Sequence, residues 1–546
     1  MTKRYNRRTF LRHGGRAAVG GVLIPGTVAA VLDACGAGQA PVVQTSVGPR
    51  RGGSLTFATE AEINSFDPRV GAWDATGLTY ARAVYDPLFT QAADGSIKPY
   101  LALSIAPNTD YTEWTIKLRP GIKFHDGSPL DANTVRVNLL GLAREPLDGP
   151  ALFNLSDVTA IDPLTVLITM HTPWVPFPFL LTVKEGMMVG LKQLADTSGK
   201  TAPVGTGPFV FKEWVPGDHF TATRNPNYWR PGLPYLDSIT FKPIPDAQSR
   251  VNSLRAGNID VMHSSDTQNV ADLMHDAQFH QINDLNSTQG EPDMGFVMLN
   301  TTAPPLDDIR VRQALACATD RERFIRTLAN GLTRPADGPF VRGSPYYTPT
   351  GYPGYDPARA RALVAEYKRE KGPISFKHGN VNTPKARAGN ELLGAMWREV
   401  GIQTEDVFFE QSPFILNAIV GNFQAYAWRQ FNCPDPDANL IWWSSATAAP
   451  VGKQALNFAR NRDPVIEAAL LAGRTQVDPT VRTAAYRMVA SRLGADLPYI
   501  WLTQAVWIVA GRMAVGGIGR ATLPDGGAAR PLDAGVTPVG EFWLTT

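Results

Sequence analysis

The sequence predicts an α/β protein of several domains, and three observations carry that prediction. At 546 residues the chain is too long for one hydrophobic core, and roughly two to four domains are expected. Short runs of strand character alternate with runs of helical period along its length. Near the middle, Met294 to Asn300 is an apolar run of the length of a strand buried on both faces. Pro304-Pro305 then breaks regularity, and Val311, Ala314, Leu315 and Ala318 recur at the spacing of one helix face. Asp307 or Asp308 stands where that helix needs an N-cap.

Composition narrows the class. Hydrophobic residues make up 44% and charged residues 19%, as in a soluble globular protein. The formal net charge of +2 is biased by the first 34 residues, which carry six basic residues and one acid. The remainder holds 46 basic against 49 acidic residues, a balance that argues against binding nucleic acid or adsorbing broadly to an anionic membrane. Beyond Cys35 the chain has only Cys317 and Cys433. One disulfide is arithmetically possible, but Cys317 lies within the small-residue helix Ala314 to Ala318 and reads as a buried hydrophobe. No CxxC or Cys/His cluster points to a metal, and no cofactor is expected.

Residues 1–35 read as an export signal. Asn6-Arg7-Arg8-Thr9-Phe10-Leu11-Arg12 is similar to a twin-arginine signal. Ala17 to Leu32 is apolar for 16 residues but broken by Gly20-Gly21 and Pro25-Gly26, too short for a membrane span of about 20 residues. Leu32-Asp33-Ala34-Cys35 is similar to a lipoprotein cleavage box, with Cys35 as the lipidated residue. Residues 36–53 form a Gly/Pro/Ser/Gln-rich flexible tether. The expected location is the outer face of the cytoplasmic membrane, held by lipid, or the periplasm.

Ser54 to Ala58 is the first strand, leading to Glu60, Glu62 and the loop Ile63-Asn64-Ser65-Phe66-Asp67-Pro68. Trp114, Ile116 and Leu118 alternate with polar residues as a half-buried strand. Pro120-Gly121 and Asp126-Gly127 are turns, and Asp131 caps a helix bearing Val135, Leu139 and Leu140. His125-Asp126 is the pair an exported hydrolase would use, yet no nucleophile is implied near it. Val204-Gly205-Thr206-Gly207-Pro208-Phe209 lacks the Gly-Lys-Ser/Thr ending of a phosphate loop. Asp356-Pro357 and Asp478-Pro479 open two later helices. Gln424 to Trp428 ends a strand and is followed by Arg429 to Asp437, while Leu497 to Leu502 is a strand and Val506 to Gly511 returns to the first part of the chain.

Several of these stretches, in this order, resemble the motifs of the peptide/nickel family of ABC-importer binding proteins (extracellular solute-binding protein family 5). They are Tyr85-Asp86-Pro87-Leu88-Phe89, Thr112 to Val135, Val204 to Phe209, Arg224-Asn225-Pro226-Asn227-Tyr228-Trp229, Met294 to Phe324 and Tyr355-Asp356-Pro357. The resemblance implies a two-lobed periplasmic-binding-protein-like α/β fold of class II, of the large three-domain type with mixed sheets and a hinge. Lobe 1 would comprise 54–298 and 506–546, with a subdomain inserted at about 86–200, and lobe 2 would comprise 299–505. It implies capture of an oligopeptide or similar solute, by a monomer, for an ABC permease and its ATPase subunits, without catalysis.

The resemblance also implies a site. Trp428 matches a cleft tryptophan. The aspartate that pairs with a peptide ammonium in relatives falls on Phe431, or on Asn432 if one residue is inserted, and neither is a carboxylate. Arg429 could bind a carboxylate or phosphate; it could equally pair with Asp435 or Glu405. Glu60, Glu62 and Asn64 complete the expected ligand contacts. Nickel-type ligation is poorly supported, because neither the Trp428 loop nor the Asn64 loop contains a histidine and His263 stands alone. Open alternatives are an oligosaccharide, an opine-like acid or a haem-type ligand, a sensory lobe without transport, and an exported hydrolase.

Overall fold

Leu55 and Phe57 of Ser54–Thr59 point into one apolar cluster and Ala58 into another, so this strand is buried on both faces. It lies at the centre of a seven-stranded sheet in a computed structural model. That structure describes residues 48–546 apart from 72, 147–148, 196–201, 286–291 and 546. The expected signal segment and the lipidation at Cys35 lie outside the described residues. The strand order is Phe279–Asn283, Ile508–Arg512, Val261–Ser264, Ser54–Thr59, Ser238–Pro243, His219–Arg224, Phe209–Val215. The central strand runs parallel to Ser238–Pro243 and Val261–Ser264, and the other pairings are antiparallel, which makes a mixed sheet.

Between the first strand and Phe209 the chain builds a subdomain on an antiparallel sheet of four strands, Ala102–Pro107, Glu113–Leu118, Thr165–Met170 and Leu155–Asp162. Asp131 caps the helix Ala132–Ala143, accepting from Thr134 N. Its Val135, Leu139 and Leu142 cover Trp114, Ile116 and Ile168. The alternation that predicts this strand thus places its apolar side under the helix.

The second lobe is a five-stranded sheet in the order Gln403–Phe409, Ser375–Val381, Ala425–Gln430, Met294–Leu299, Tyr499–Gln504. The first three are parallel to one another, and Met294–Leu299 is antiparallel to both neighbours. Phe296 and Met298 face one cluster, Val297 and Leu299 the other. Asp308 caps Ile309–Ala318 by accepting from Arg310 N. Because all of Met294–Leu299 pairs within this second sheet, the division expected at 298/299 is corrected: the first crossing lies before Met294. The proline break after the strand reads as a boundary, but the strand itself is central to lobe 2.

The two crossings, one between Asn283 and Met294 and one between Gln504 and Ile508, hold each other. Trp507 N donates to Asp284 Oδ1 (2.7 Å), Asp284 N to Trp507 O (3.2 Å), and Ala505 N to Asp293 O (2.8 Å). Cys317 and Cys433 are free and buried. No helix among the described residues is long and apolar enough to cross a membrane.

Candidate functional site

In open α/β sheets, ligands meet the carboxyl ends of parallel strands. In lobe 1 those ends are Thr59-Glu60, Pro243-Ile244 and Ser264-Ser265, and one side chain ties them together. Arg250, 1% exposed, donates Nε to His263 O (3.1 Å), one terminal nitrogen to Ile244 O, and the other to Glu60 Oε1 and Ser264 Oγ (both 3.1 Å). Glu60 also accepts from Ser265 N (2.7 Å) and Ser265 Oγ. His263 Nε2 accepts from Glu60 N (3.2 Å), leaving Nδ1–H to donate to Gly535 O (3.2 Å). Burial opposes the charge on Glu60, but the charges of Arg250 and then Arg429, with the Ser265 N–H, outweigh it and hold the carboxyl below its ordinary value.

Arg429 acts on the Glu60 charge from the other lobe. It stands at the carboxyl end of Ala425–Gln430, where alternation divides the side chains. Tyr426 and Trp428 face the aromatic cluster: Trp428 is half-buried, stacked on Phe414 (5.1 Å) and edge-on to Phe458 (5.6 Å), and its Nε1 donates to Gln430 Oε1 (2.9 Å). Arg429 takes the opposite side. Its guanidinium sits 4.7 Å over the Trp507 ring, with Nε 3.7 Å from Asp293 Oδ2 and the side chain 36% exposed. Arg429 pairs with neither Asp435 nor Glu405, the alternatives open in the sequence: Asp435 takes two hydrogen bonds from Arg482, and Glu405 is exposed on the outermost strand. Burial raises the Asp293 carboxyl despite Arg429 and the Asn432 N–H. Burial also lifts Asp284, to about 7.

A second set of contacts joins the inserted subdomain to lobe 2. Trp174 Nε1 donates to Asp437 Oδ2 (2.7 Å), and Arg474 grips both oxygens of Asp437 (2.9 Å each). Val175 N donates to Arg474 O (2.9 Å). A cavity of about 20 Å³ remains here, between Trp174, Phe179, Ile441 and Arg474. At another point Lys385 of lobe 2 meets Asp266 of lobe 1 at 2.9 Å. The lobes are therefore held shut by polar contacts well separated along the chain.

Of the residues expected to touch ligand, Arg429 acts on the charge of Glu60 across the lobes, while Trp428 lies on the other side of the strand from Arg429, in the aromatic cluster. Asn64 is exposed in the loop that follows Ser54–Thr59. Glu62 is turned elsewhere: it accepts from Trp214 Nε1 (2.8 Å) and Gly217 N (2.9 Å), bracing the hairpin of lobe 1. Phe431 is 2% exposed, stacked on Phe296 (5.1 Å) and edge-on to Tyr499 (5.2 Å), so it belongs to the core of lobe 2. Its φ of +86° swings the chain off the strand and turns the ring inward. Asn432 contributes its main-chain N–H to Asp293 Oδ1 (3.2 Å). His125 clamps backbone: Nδ1 accepts from Gly205 N (3.3 Å) and Nε2 donates to Gly207 O (3.0 Å), and burial pushes the imidazole down to about 4. Among the described residues no three His, Cys, Asp or Glu side chains gather as metal ligands.

Sequence reasoning missed Trp507, Asp293 and the Trp174–Asp437–Arg474 contact. The Asp435-Pro436-Asp437 pair of acids is the available signal for the last of these.

Residues 96–450 match the family described as bacterial extracellular solute-binding proteins, family 5 Middle. The glutathione-binding protein GsiB of Pectobacterium atrosepticum is 28% identical over 82% of this chain and 87% of its own. The nickel-binding periplasmic protein of Escherichia coli is 28% identical over 85% of this chain and 91% of its own. Among solved structures, AgaA from A. tumefacien in complex with agropinic acid superposes with a TM-score of 0.78 at 23% identity, covering 90% of this chain and 99% of that one. DppA from Helicobacter pylori, in complex with a peptide, gives 0.78 at 21%, covering 91% and 99%. Two mixed sheets with facing carboxyl edges, a paired crossing and these matches lead to one conclusion: the chain belongs to the bacterial extracellular solute-binding proteins, family 5, the extracytoplasmic binding components of ABC importers, and is not an enzyme.

Proposed function

We propose that this chain captures an oligopeptide or a similar small solute bearing a carboxylate, closes its lobes over it, and delivers it to an ABC permease. The observation that carries the reading is Arg429. It lies at the carboxyl edge of its strand, is partly exposed, holds Asp293 only at 3.7 Å, and helps to hold the Glu60 carboxyl of the other lobe below its ordinary value. A planar guanidinium in that position suits a ligand carboxylate, which it can take in two parallel hydrogen bonds. The buried Phe431 supplies no charge for a ligand ammonium, so the anchor differs from one built on an aspartate. Trp428 offers its exposed portion as an apolar platform.

The test is calorimetry on residues 36–546 with tripeptides that have a free or an amidated carboxyl terminus, after mass spectrometry of whatever co-purifies. The free acid should bind roughly ten-fold tighter or more, as the loss of a hydrogen bond to a charged group implies. Arg429→Gln should erase that preference. Equal binding of acid and amide, or binding only of uncharged solutes, removes Arg429 from the role. A second reading, an opine-like acid, draws support from the likeness to the agropinic acid-bound protein and uses the same arginine.

Anchoring at Cys35 after twin-arginine export is part of the proposal. It predicts incorporation of labelled fatty acid by the native chain and none by Cys35→Ala.

A further inference from the structure

Away from the facing sheet edges, lobe 1 carries a groove of about 560 Å³ between the subdomain turn at Arg119-Pro120, the loop Trp229 to Tyr235, and the segment Arg520 to Glu541. Three arginines line it against one carboxylate. Arg230 is partly buried at the base, bonded to Tyr100 Oη (3.2 Å) and Thr522 Oγ1 (2.8 Å) and 3.5 Å from Glu541. Glu541 is itself occupied by Thr522 N (2.8 Å) and Oγ1 (2.7 Å), and it stands 3.9 Å from Arg520, too far for a good hydrogen bond. Arg520 is 54% exposed, resting 6.0 Å from the Trp543 ring centre. Arg119 is fixed through Nε to Tyr100 O (2.6 Å) and lies over the Trp229 ring at 5.7 Å. The groove thus presents two aromatic-backed guanidinium groups, net positive charge, and an apolar rim at Leu103, which is 46% exposed.

The chain enters the lobe on this rim. Gly52 N donates to the carbonyl of Tyr235, a groove residue, and Arg50 donates to Thr545 O (3.2 Å). Cys35 precedes Gly48 by 13 residues, a reach of at most about 45 Å even fully extended. A bilayer holding Cys35 would therefore lie within reach of this face. We propose that the groove binds the phosphate headgroup of an anionic phospholipid and so orients lobe 1 on the membrane, independently of the solute site. Charge complementarity favours this occupant, and a guanidinium pair on aromatic faces suits a phosphate. The near-neutral balance of the exported chain means that attraction must come from this groove rather than from the whole surface.

The test is co-sedimentation of residues 36–546 with vesicles of phosphatidylcholine alone or with 30 mol% phosphatidylglycerol (the probe composition), at low and physiological salt. Binding should require phosphatidylglycerol and weaken with salt. The double variant Arg119→Gln/Arg520→Gln should bind roughly thirty-fold more weakly, at the usual worth of two surface arginines near anionic lipid, while its solute affinity stays the same. Arg342→Gln, an exposed arginine of lobe 2, should bind vesicles as the native chain does. Equal binding to both vesicle types, or no loss in the double variant, overturns the proposal. Calorimetric binding of inorganic phosphate without vesicle binding reassigns the groove to a free anion and overturns the lipid assignment.

Discussion

Replacing Trp174 by phenylalanine deletes the indole N–H that the subdomain gives to Asp437 of lobe 2, at 2.7 Å and fully buried. The subdomain is bound to lobe 1 by His125 and the glycine turn at 205–207, so this hydrogen bond forms only when the lobes meet. A hydrogen bond to a charged acceptor contributes about 1.5–3 kcal/mol. Because opening returns both partners to water, that contribution falls on the closed state alone and is lost from it in the variant. Apparent affinity scales with the population of the binding-competent form, so Kd should rise about ten-fold or more. Calorimetry with the co-purified solute measures Kd, and small-angle scattering should show a larger radius of gyration without solute. Phe177→Leu serves as control: Phe177 packs on Trp174 at 5.1 Å in the same subdomain core but donates nothing across the interface. It should lower the melting temperature and leave Kd alone. If Trp174→Phe keeps Kd within two-fold, the contact is not a latch and the reasoning fails.

Trp428→Ala should weaken solute binding by about 2 kcal/mol, as loss of an aromatic anchor does; a sharp fall in melting temperature with affinity retained would show that its stacking on Phe414 is all it does. Glu62→Gln should lower stability through the Trp214 and Gly217 contacts while solute affinity holds, and calorimetry would detect a ligand role if affinity drops instead. His378 is fully buried with both ring nitrogens unbonded, and burial pushes its imidazole down to about 3. The unfolded chain takes up that proton near pH 6.5 and the folded chain does not, so this stability is present above pH 6.5 and is lost as pH falls toward 3. Urea midpoints at pH 7 and pH 5 should show a loss of about 2 kcal/mol from this residue, absent in His378→Leu, from 1.36 kcal/mol per pH unit over about 1.5 units.

The motifs that made the family legible hold the fold rather than the solute. Asp86 accepts from Trp229 Nε1 (2.8 Å), Thr206 Oγ1 (3.1 Å) and Tyr228 Oη (3.2 Å), joining three motif stretches at the point where the subdomain leaves and re-enters lobe 1. Gly205 and Gly207 are glycines because a Cβ at either would run into the backbone of Val84. Such local demands leave dense marks in a sequence, and helix caps such as Asp131, Asp308, Asp356 and Asp478 are equally readable. The site is less so. Glu60 and Glu62 stand two residues apart in one bend, and nothing local tells that one meets Arg250 and the other a hairpin. Counting from Trp428 lands on Phe431 but cannot see the positive φ that rotates its ring into the core. Trp174 and Asp437 are 263 residues apart, beyond any periodic signal.

The paired crossings have a mechanical result. A strap stitched to its twin at two points, through Trp507 with Asp284 and Ala505 with Asp293, flexes readily across its width and resists sliding lengthwise. The lobes should therefore swing like covers on a spine, about a single axis, and Glu60 and Arg429 should return to the same register each time the covers meet.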